Sequence, residues 1–302
     1  MFVIRHRAFF FWLTGLLLAG ALGAIAVFGL PLSIDFTGGS LVEVTYTNDR
    51  PAVSDLQDKV AAVPVGEVSL RESGTNGIVL RSRTLTPEEH TAMLSALSDN
   101  GATPLVEERF TSIGPALGSE LATKALYAIG AVTLVIVLYI AWAFRRVSRP
   151  VPSWGYGLVV VAMLAIDIIV PTGFYAAWAH YTGAQVDALF VVALLALLGY
   201  CVNDVIVIFD RIREHLKWND EKHIQESFEE TIGKSITETL GRSINTAVTV
   251  VLALLAIIFL GAEATRNFAL VMLVGVVAGT FSSICRSAPL LIPIAKRFAK
   301  KD

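Results

Sequence analysis

Residues 187–209, DALFVVALLALLGYCVNDVIVIF, decide the fold. The stretch is apolar almost throughout, carries no Lys or Arg, and exceeds the about 20 residues a helix needs to cross the hydrocarbon core. One carboxylate, Asp204, lies well inside it, and Asp210-Arg211 closes it. Working outward, comparable apolar runs occur at about 8–30, 125–144, 154–174, 235–260 and 268–294. The fold class is therefore a membrane all-α bundle of six transmembrane helices. Composition agrees: 17% of residues are charged, against roughly a quarter in a soluble domain, and mean hydropathy is +0.64. A net charge of -2 is too small to suggest nucleic acid as a partner, whereas lipid is the expected surrounding. For the first run, a cleaved signal peptide is the alternative, since Ala19-Gly20-Ala21 offers small residues; the run is long for one, which favours a retained helix.

The basic residues set an orientation. Arg5 and Arg7 precede span one; Arg145, Arg146 and Arg149 follow span two. Arg211, Arg213, Lys217 and Lys222 follow span four, and Lys296, Arg297, Lys300 and Lys301 follow span six. The short alternate loops are nearly bare: 175–186 has none and 261–267 has only Arg266. The positive-inside rule then places both termini in the cytoplasm and residues 31–123 outside.

That outer segment shows strand and helix periods. Ser40–Thr47 alternates, with Leu41, Glu43 and Thr45 on one face and Val42, Val44 and Tyr46 on the other. Val53–Val63 reads as a helix, and 67–72 and 77–83 as a strand pair joined through Ser73-Gly74-Thr75-Asn76. Thr86 is a candidate N-cap, with Pro87 at the first helical position and Glu88 and Glu89 at the positive end. Leu105–Phe110 supplies a fourth strand. The order βαββαβ predicts an α+β ferredoxin-like domain over 33–120, between span one within 1–32 and spans two to six within 121–302. Near 211–234 a cytoplasmic loop is expected. Within it, Ile224, Phe228 and Ile232 share one helical face, which suits a helix on the membrane surface or a solvated connector.

Four ionisable residues fall inside spans, where a charge costs at least roughly 2.5–3.5 kcal/mol: Asp167, Asp204, Arg242 and Arg286. Asp204 lies about six residues, roughly 9 Å, from the cytoplasmic edge, and Arg242 lies roughly 10 Å in on the next, antiparallel span. The two are thus at one depth and able to pair. An Asp can change charge while an Arg effectively cannot, so helix movement that alters water access could load and release a proton. A buried ion pair that only fixes helix register is the alternative. Asn203, Asn245, Thr246 and Thr249 add polar atoms to the same layer, as relay or interhelical hydrogen-bonding groups. Asp167, one turn before Pro171, is a second relay candidate. Gly275 and Gly279 form a GxxxG face for close packing, and Cys201 and Cys285 read as small core residues. No HExxH, GxSxG, Walker A or paired CxxC occurs, and the His residues lack metal-ligand spacing, so no cofactor or metal is implied. An intramembrane aspartyl protease would need a second Asp beside Asp204; Asp167 could supply it, but no recognised protease motif surrounds either residue.

Four segments carry a family resemblance. They are 33–39 (SIDFTGG), 199–214 (GYCVNDVIVIFDRIRE), 240–247 (LGRSINTA) and 272–291 (MLVGVVAGTFSSICRSAPLL). Together with six spans and an outer domain after the first, the chain resembles the SecD/SecF family of bacterial protein export, on its SecF side, within the resistance-nodulation-division superfamily. The resemblance implies one six-helix half of such a transporter, multi-pass in the bacterial inner membrane. It implies SecD as the other half, the SecY–SecE–SecG channel with YajC and YidC as neighbours, and an unfolded exported polypeptide as client. It also implies an accessory, non-enzymatic subunit that uses the proton motive force in late export, with Asp204 and Arg242 as functional residues and Asp167 matching a third-helix Asp. Departures from the family pattern are Ile166 for a common His, Cys201 and Val205 for hydroxyl residues, and Arg286 where a small or apolar residue is usual. Arg286 is expected to reach toward the cytoplasm or to meet a carboxylate on SecD. A passive docking subunit is the alternative function. A small-molecule efflux protein fits less well, given an outer domain of only about ninety residues.

Overall fold

A computed structural model describes residues 2–145 and 150–299; Arg146, Arg149, Lys300 and Lys301 lie outside them. The chain divides into two compact units.

The smaller unit comprises Pro31–Leu126 with Gln185–Ala188. After two N-terminal helices, α1 (Phe2–Arg5) and α2 (Arg7–Phe28), it contains α3 (Ile34–Thr37), β1 (Gly39–Tyr46), α4 (Val53–Ala61), β2 (Ser69–Ser73), β3 (Gly77–Ser82), α5 (Pro87–Leu97) and β4 (Leu105–Ile113). The four strands are antiparallel in the order β2-β3-β1-β4, the ferredoxin-like arrangement. Alternation in β1 sends Val42, Val44 and Tyr46 inward, where they pack with Leu56, Val60, Ile78, Leu80, Met93 and Leu97 from β3, α4 and α5. The Tyr46 hydroxyl donates to the Leu97 carbonyl at 3.0 Å, and burial pushes its pKa up to about 12. Thr86 caps α5 in a reciprocal capping box with Glu89. β4 runs three residues beyond the expected Phe110, because its pairing with β1 continues to Ile113.

The SIDFTGG segment ties this unit together. Ser33 caps α3 through the Asp35 N–H, while Asp35 Oδ2 accepts from the Ala188 N–H at 2.9 Å. Leu32 bridges to Val186, and the Ser33 N–H donates to the Val186 carbonyl at 2.8 Å. Gly38 and Gly39 have φ of +74° and +128°, and a Cβ on Gly38 would stand 2.7 Å from Pro115 Cα. Only glycine meets both demands.

The larger unit holds the membrane helices. Among the described residues, six helices are long and apolar enough to cross a membrane: α2, α6 (Pro115–Ala143), α7 (Ser153–Thr182), α8 (Ala188–Glu221), α9 (Phe228–Leu260) and a last span made of α10 (Glu263–Ser282), a π-helical turn (Ser283–Ser287) and α11 (Leu291–Ala299). α7, α8 and α10 form the interior, whereas few residues of α6 are fully buried. The expected loop near 211–234 is instead mostly helix. α8 continues to Glu221, His223 takes a left-handed φ, and a capping box from Ser227 to Glu230 starts α9 at once. The amphipathic face is therefore split: Ile224 is exposed in the turn, whereas Ile232 is fully buried in the bundle core. Glu229 of α9 meets both Arg7 of α2, at 3.2 Å, and Lys296 of α11, at 2.8 Å. Three helix ends that the basic clusters assign to one side thus share one ion cluster.

Candidate functional site

α8 carries the central carboxylate because of its own periodicity. Ala193, Leu194, Leu197, Leu198, Cys201, Val202, Val205, Ile208, Phe209 and Ile212 are buried, a stripe at helical spacing that fixes the rotation of the helix. Asp204 falls at the edge of that stripe and is only partly buried. Its two oxygens accept hydrogen bonds, Oδ1 from Ser243 Oγ of α9 and Oδ2 from Ser283 Oγ of the π turn. Ser243 and Ser283 are themselves buried, and Ser283 also contacts the Thr280 carbonyl at 2.9 Å. Three helices therefore converge on one ionisable group.

Close approach of α10 to α8 depends on glycines. A Cβ on Gly279 would run into Cys201 Sγ and lie 3.9 Å from Asp167 Cγ; a Cβ on Gly275 would run into Leu197. The GxxxG face is thus a packing surface for α8, as its spacing suggested. Cys201 and Cys285 are buried free thiols. π turns inside α-helices recur at functional sites, and this one places Ser283 beside the carboxylate.

Arg242 does not pair with Asp204: among the described residues no ion pair joins them. The reason is rotational. Ser243 faces the bundle, so Arg242, about 100° round the helix, lies at its exposed edge. The two still line one cavity of about 20 Å³, together with Tyr200, Asn203, Val207, Ser243 and Thr246. That volume suits about one water. Asn203 and Thr246 are thus brought to Asp204, and the Thr246 hydroxyl donates to the Arg242 carbonyl at 2.9 Å. Asn245 does not line that cavity, although it is exposed on the same face of α9. Asp167 is buried at 2% exposure on the interior helix α7. Arg286 does not reach toward the cytoplasmic end: it is 3% exposed, packed within the bundle over the Phe281 ring at 5.9 Å. The missing hydroxyl at Val205 leaves no gap, because Val205 points into the apolar core and serines from two other helices serve Asp204. Ser243 and Ser283 went unnoticed in the sequence, although three serines at 282, 283 and 287 in an apolar helix were a usable signal.

A surface feature completes the site. Arg242, Asn245, Thr246 and Thr249 occupy one exposed face of α9, at spacings of three and four, beside exposed Asn203. Ionisable groups at this depth ordinarily face a bundle interior or a wet cavity.

Comparison with known proteins gives matches over both units. Residues 94–297 match the family model "Protein export membrane protein SecD/SecF, C-terminal", and residues 23–49 match the "SecD/SecF GG Motif". The protein translocase subunit SecF of Thermobaculum terrenum is 34% identical over 96% of this chain and 92% of its own length. That of Anaerolinea thermophila is 35% identical over the same shares. Among solved structures, SecDF of Thermus thermophilus, a translocon-associated membrane protein, superposes with a TM-score of 0.81 at 28% identity over 96% of this chain. The match spans 38% of that longer SecDF chain. SecDF in its super-membrane-facing form gives 0.67 at 28% identity, over 99% of this chain and 39% of the other.

Proposed function

The chain is a multi-pass membrane protein that belongs to the SecD/SecF protein-export family, and from that premise we propose that it is the SecF-type half of a proton-driven accessory complex of the Sec translocon. The observation that carries this is Asp204, a carboxylate held by two serines from different helices in a cavity the size of one water, with Arg242 on its wall. Such a group gains or loses a proton by exchanging hydroxyl donors for water, and either change moves α9 or the π turn relative to α8. One charge crossing 100 mV is worth roughly 2.3 kcal/mol, enough to bias a two-state rearrangement. A register-fixing ion pair is less well supported, because among the described residues Asp204 forms no ion pair with Arg242.

The exposed polar face of α9 supports a second six-helix half, of SecD type, packed against it; left in lipid, Arg242 would be costly. In this proposal both termini are cytoplasmic in the bacterial inner membrane, with 1–32, 33–120 and 121–302 as first span, outer domain and remaining spans. The outer domain acts on the emerging polypeptide beside the SecY–SecE–SecG channel, with YajC and YidC as neighbours. The test is Asp204→Asn, assembled with its SecD-type partner in inverted vesicles. Potential-dependent completion of export should be lost while partner binding is kept; normal export in that variant refutes the proposal, and a passive docking subunit then remains.

A further inference from the structure

Arg286 has no place in that scheme, yet a guanidinium at 3% exposure inside an apolar bundle needs a reason. Its surroundings follow from how α10 lies along α7. Gly279 stands opposite Asp167, with Asp167 Cγ 3.9 Å from where a glycine Cβ would be. Ser282 Oγ contacts Met163 Sδ at 3.3 Å. A step forward on α10 thus matches a step of one turn backward on α7, so the helices are antiparallel with one shared seam. Arg286 is one turn beyond Ser282 on that seam, in the π turn. Helical side chains lean toward the N-terminus of their helix, so the guanidinium extends back past Ser282 toward Asp167. Among the described residues, Arg286 Nε and Nη1 find no acceptor and Asp167 Oδ1 no donor. The two interact electrostatically across the seam, and among the described residues no ion pair joins them. The other ionisable groups facing Asp167 are Cys201 and Asp204, both from α8.

We propose that Arg286 is the fixed counter-charge of Asp167, a positioning residue that holds this carboxylate ionised so that Asp204 alone carries the exchangeable proton. This rests on the proton-carrying role of Asp204 given above. A carboxylate buried without a cation takes up a proton; beside an arginine, which cannot release its own, it stays charged. The π turn joins the two tasks, since it presents Arg286 toward Asp167 and Ser283 to Asp204.

The test is infrared spectroscopy of the purified full chain in nanodiscs, following the protonated-carboxyl stretch across neutral pH. In the wild type, any intramembrane carboxyl signal should vanish in Asp204→Asn and persist unchanged in Asp167→Asn; a signal that Asp167→Asn removes overturns the proposal. Arg286→Leu should add one carboxyl per chain at neutral pH. That signal should be absent from Asp167→Asn/Arg286→Leu and from the charge-conserving Arg286→Lys. A folded Arg286→Leu that adds no signal also overturns it. Because these spectra require no export, they separate this inference from the export test of Asp204→Asn.

Discussion

Gly279→Ala should have an effect whose sign depends on a residue of another helix. The added Cβ would run into Cys201 Sγ, which is 1% exposed, and it would make ordinary contact with Asp167 Cγ at 3.9 Å. Overpacking of a filled interior costs about 1–3 kcal/mol. Rotating the Cys201 side chain relieves part of it, at about 0.5–1.5 kcal/mol if it leaves its rotamer. Against this, alanine favours a helix interior over glycine by up to about 1 kcal/mol. The net expectation is a loss of about 1–2 kcal/mol. In a Cys201→Ala background the obstruction is gone and only the propensity remains, so the same substitution should stabilise by up to about 1 kcal/mol. The coupling is thus about 1–3 kcal/mol, well above the additivity error of roughly 0.3–0.5 kcal/mol for independent sites. Reversible unfolding of the four variants in mixed micelles measures it. Additive free energies, or Gly279→Ala destabilising equally in both backgrounds, would refute the packing of α10 on α8 through this glycine.

Gly38→Ala should cost at least about 2 kcal/mol, since its positive-φ extended backbone alone costs a side chain roughly 1–3 kcal/mol and the new Cβ meets Pro115 Cα at 2.7 Å. Faster proteolysis of the sheet domain in the full chain would report it, and unchanged cleavage would count against the turn's stated geometry. Ser283→Ala removes one of two hydroxyl donors to Asp204, worth about 1.5–3 kcal/mol of stability if the carboxylate is ionised; Ser283→Thr should restore most of it, as read by the same unfolding assay. The Glu89 carboxyl is lowered from the usual value near 4.5 to about 2, first by its hydrogen bond from Arg83 and then by the Thr86 N–H. A depressed carboxylate stabilises the fold above pH 4.5 and loses that contribution as pH falls toward 2. Acid-unfolding curves of wild type and Glu89→Gln should therefore converge at the low end of that window, and a constant offset through it would contradict the assignment.

Much of the architecture was legible because its signals are local. A run of about 20 apolar residues announces a span wherever it packs. Alternation in 40–47 placed Val42, Val44 and Tyr46 in the core, and Thr86-Pro87-Glu88-Glu89 contained its own cap. Depth was legible too: Asp204 and Arg242 line one cavity, as residue counting implied. Capping chemistry at Ser227 and Glu230 is equally present in the sequence, and it starts α9 at Phe228, ahead of the apolar run that begins near 235.

Partnership was not legible, and the cause is angular. Neighbouring residues on a helix point about 100° apart, so the rotation of α9, set by its whole buried stripe, gave Asp204 to Ser243 and left Arg242 at the exposed edge. The same holds for Arg286. Sequence alone determined that six spans exist, that a βαββαβ domain follows the first, and that four ionisable residues fall within the apolar spans. Only the packing of α7, α8, α9 and α10 decided that the serines of two helices hold Asp204 and that Arg286 turns inward, because each depends on helix rotations that many distant apolar contacts fix together.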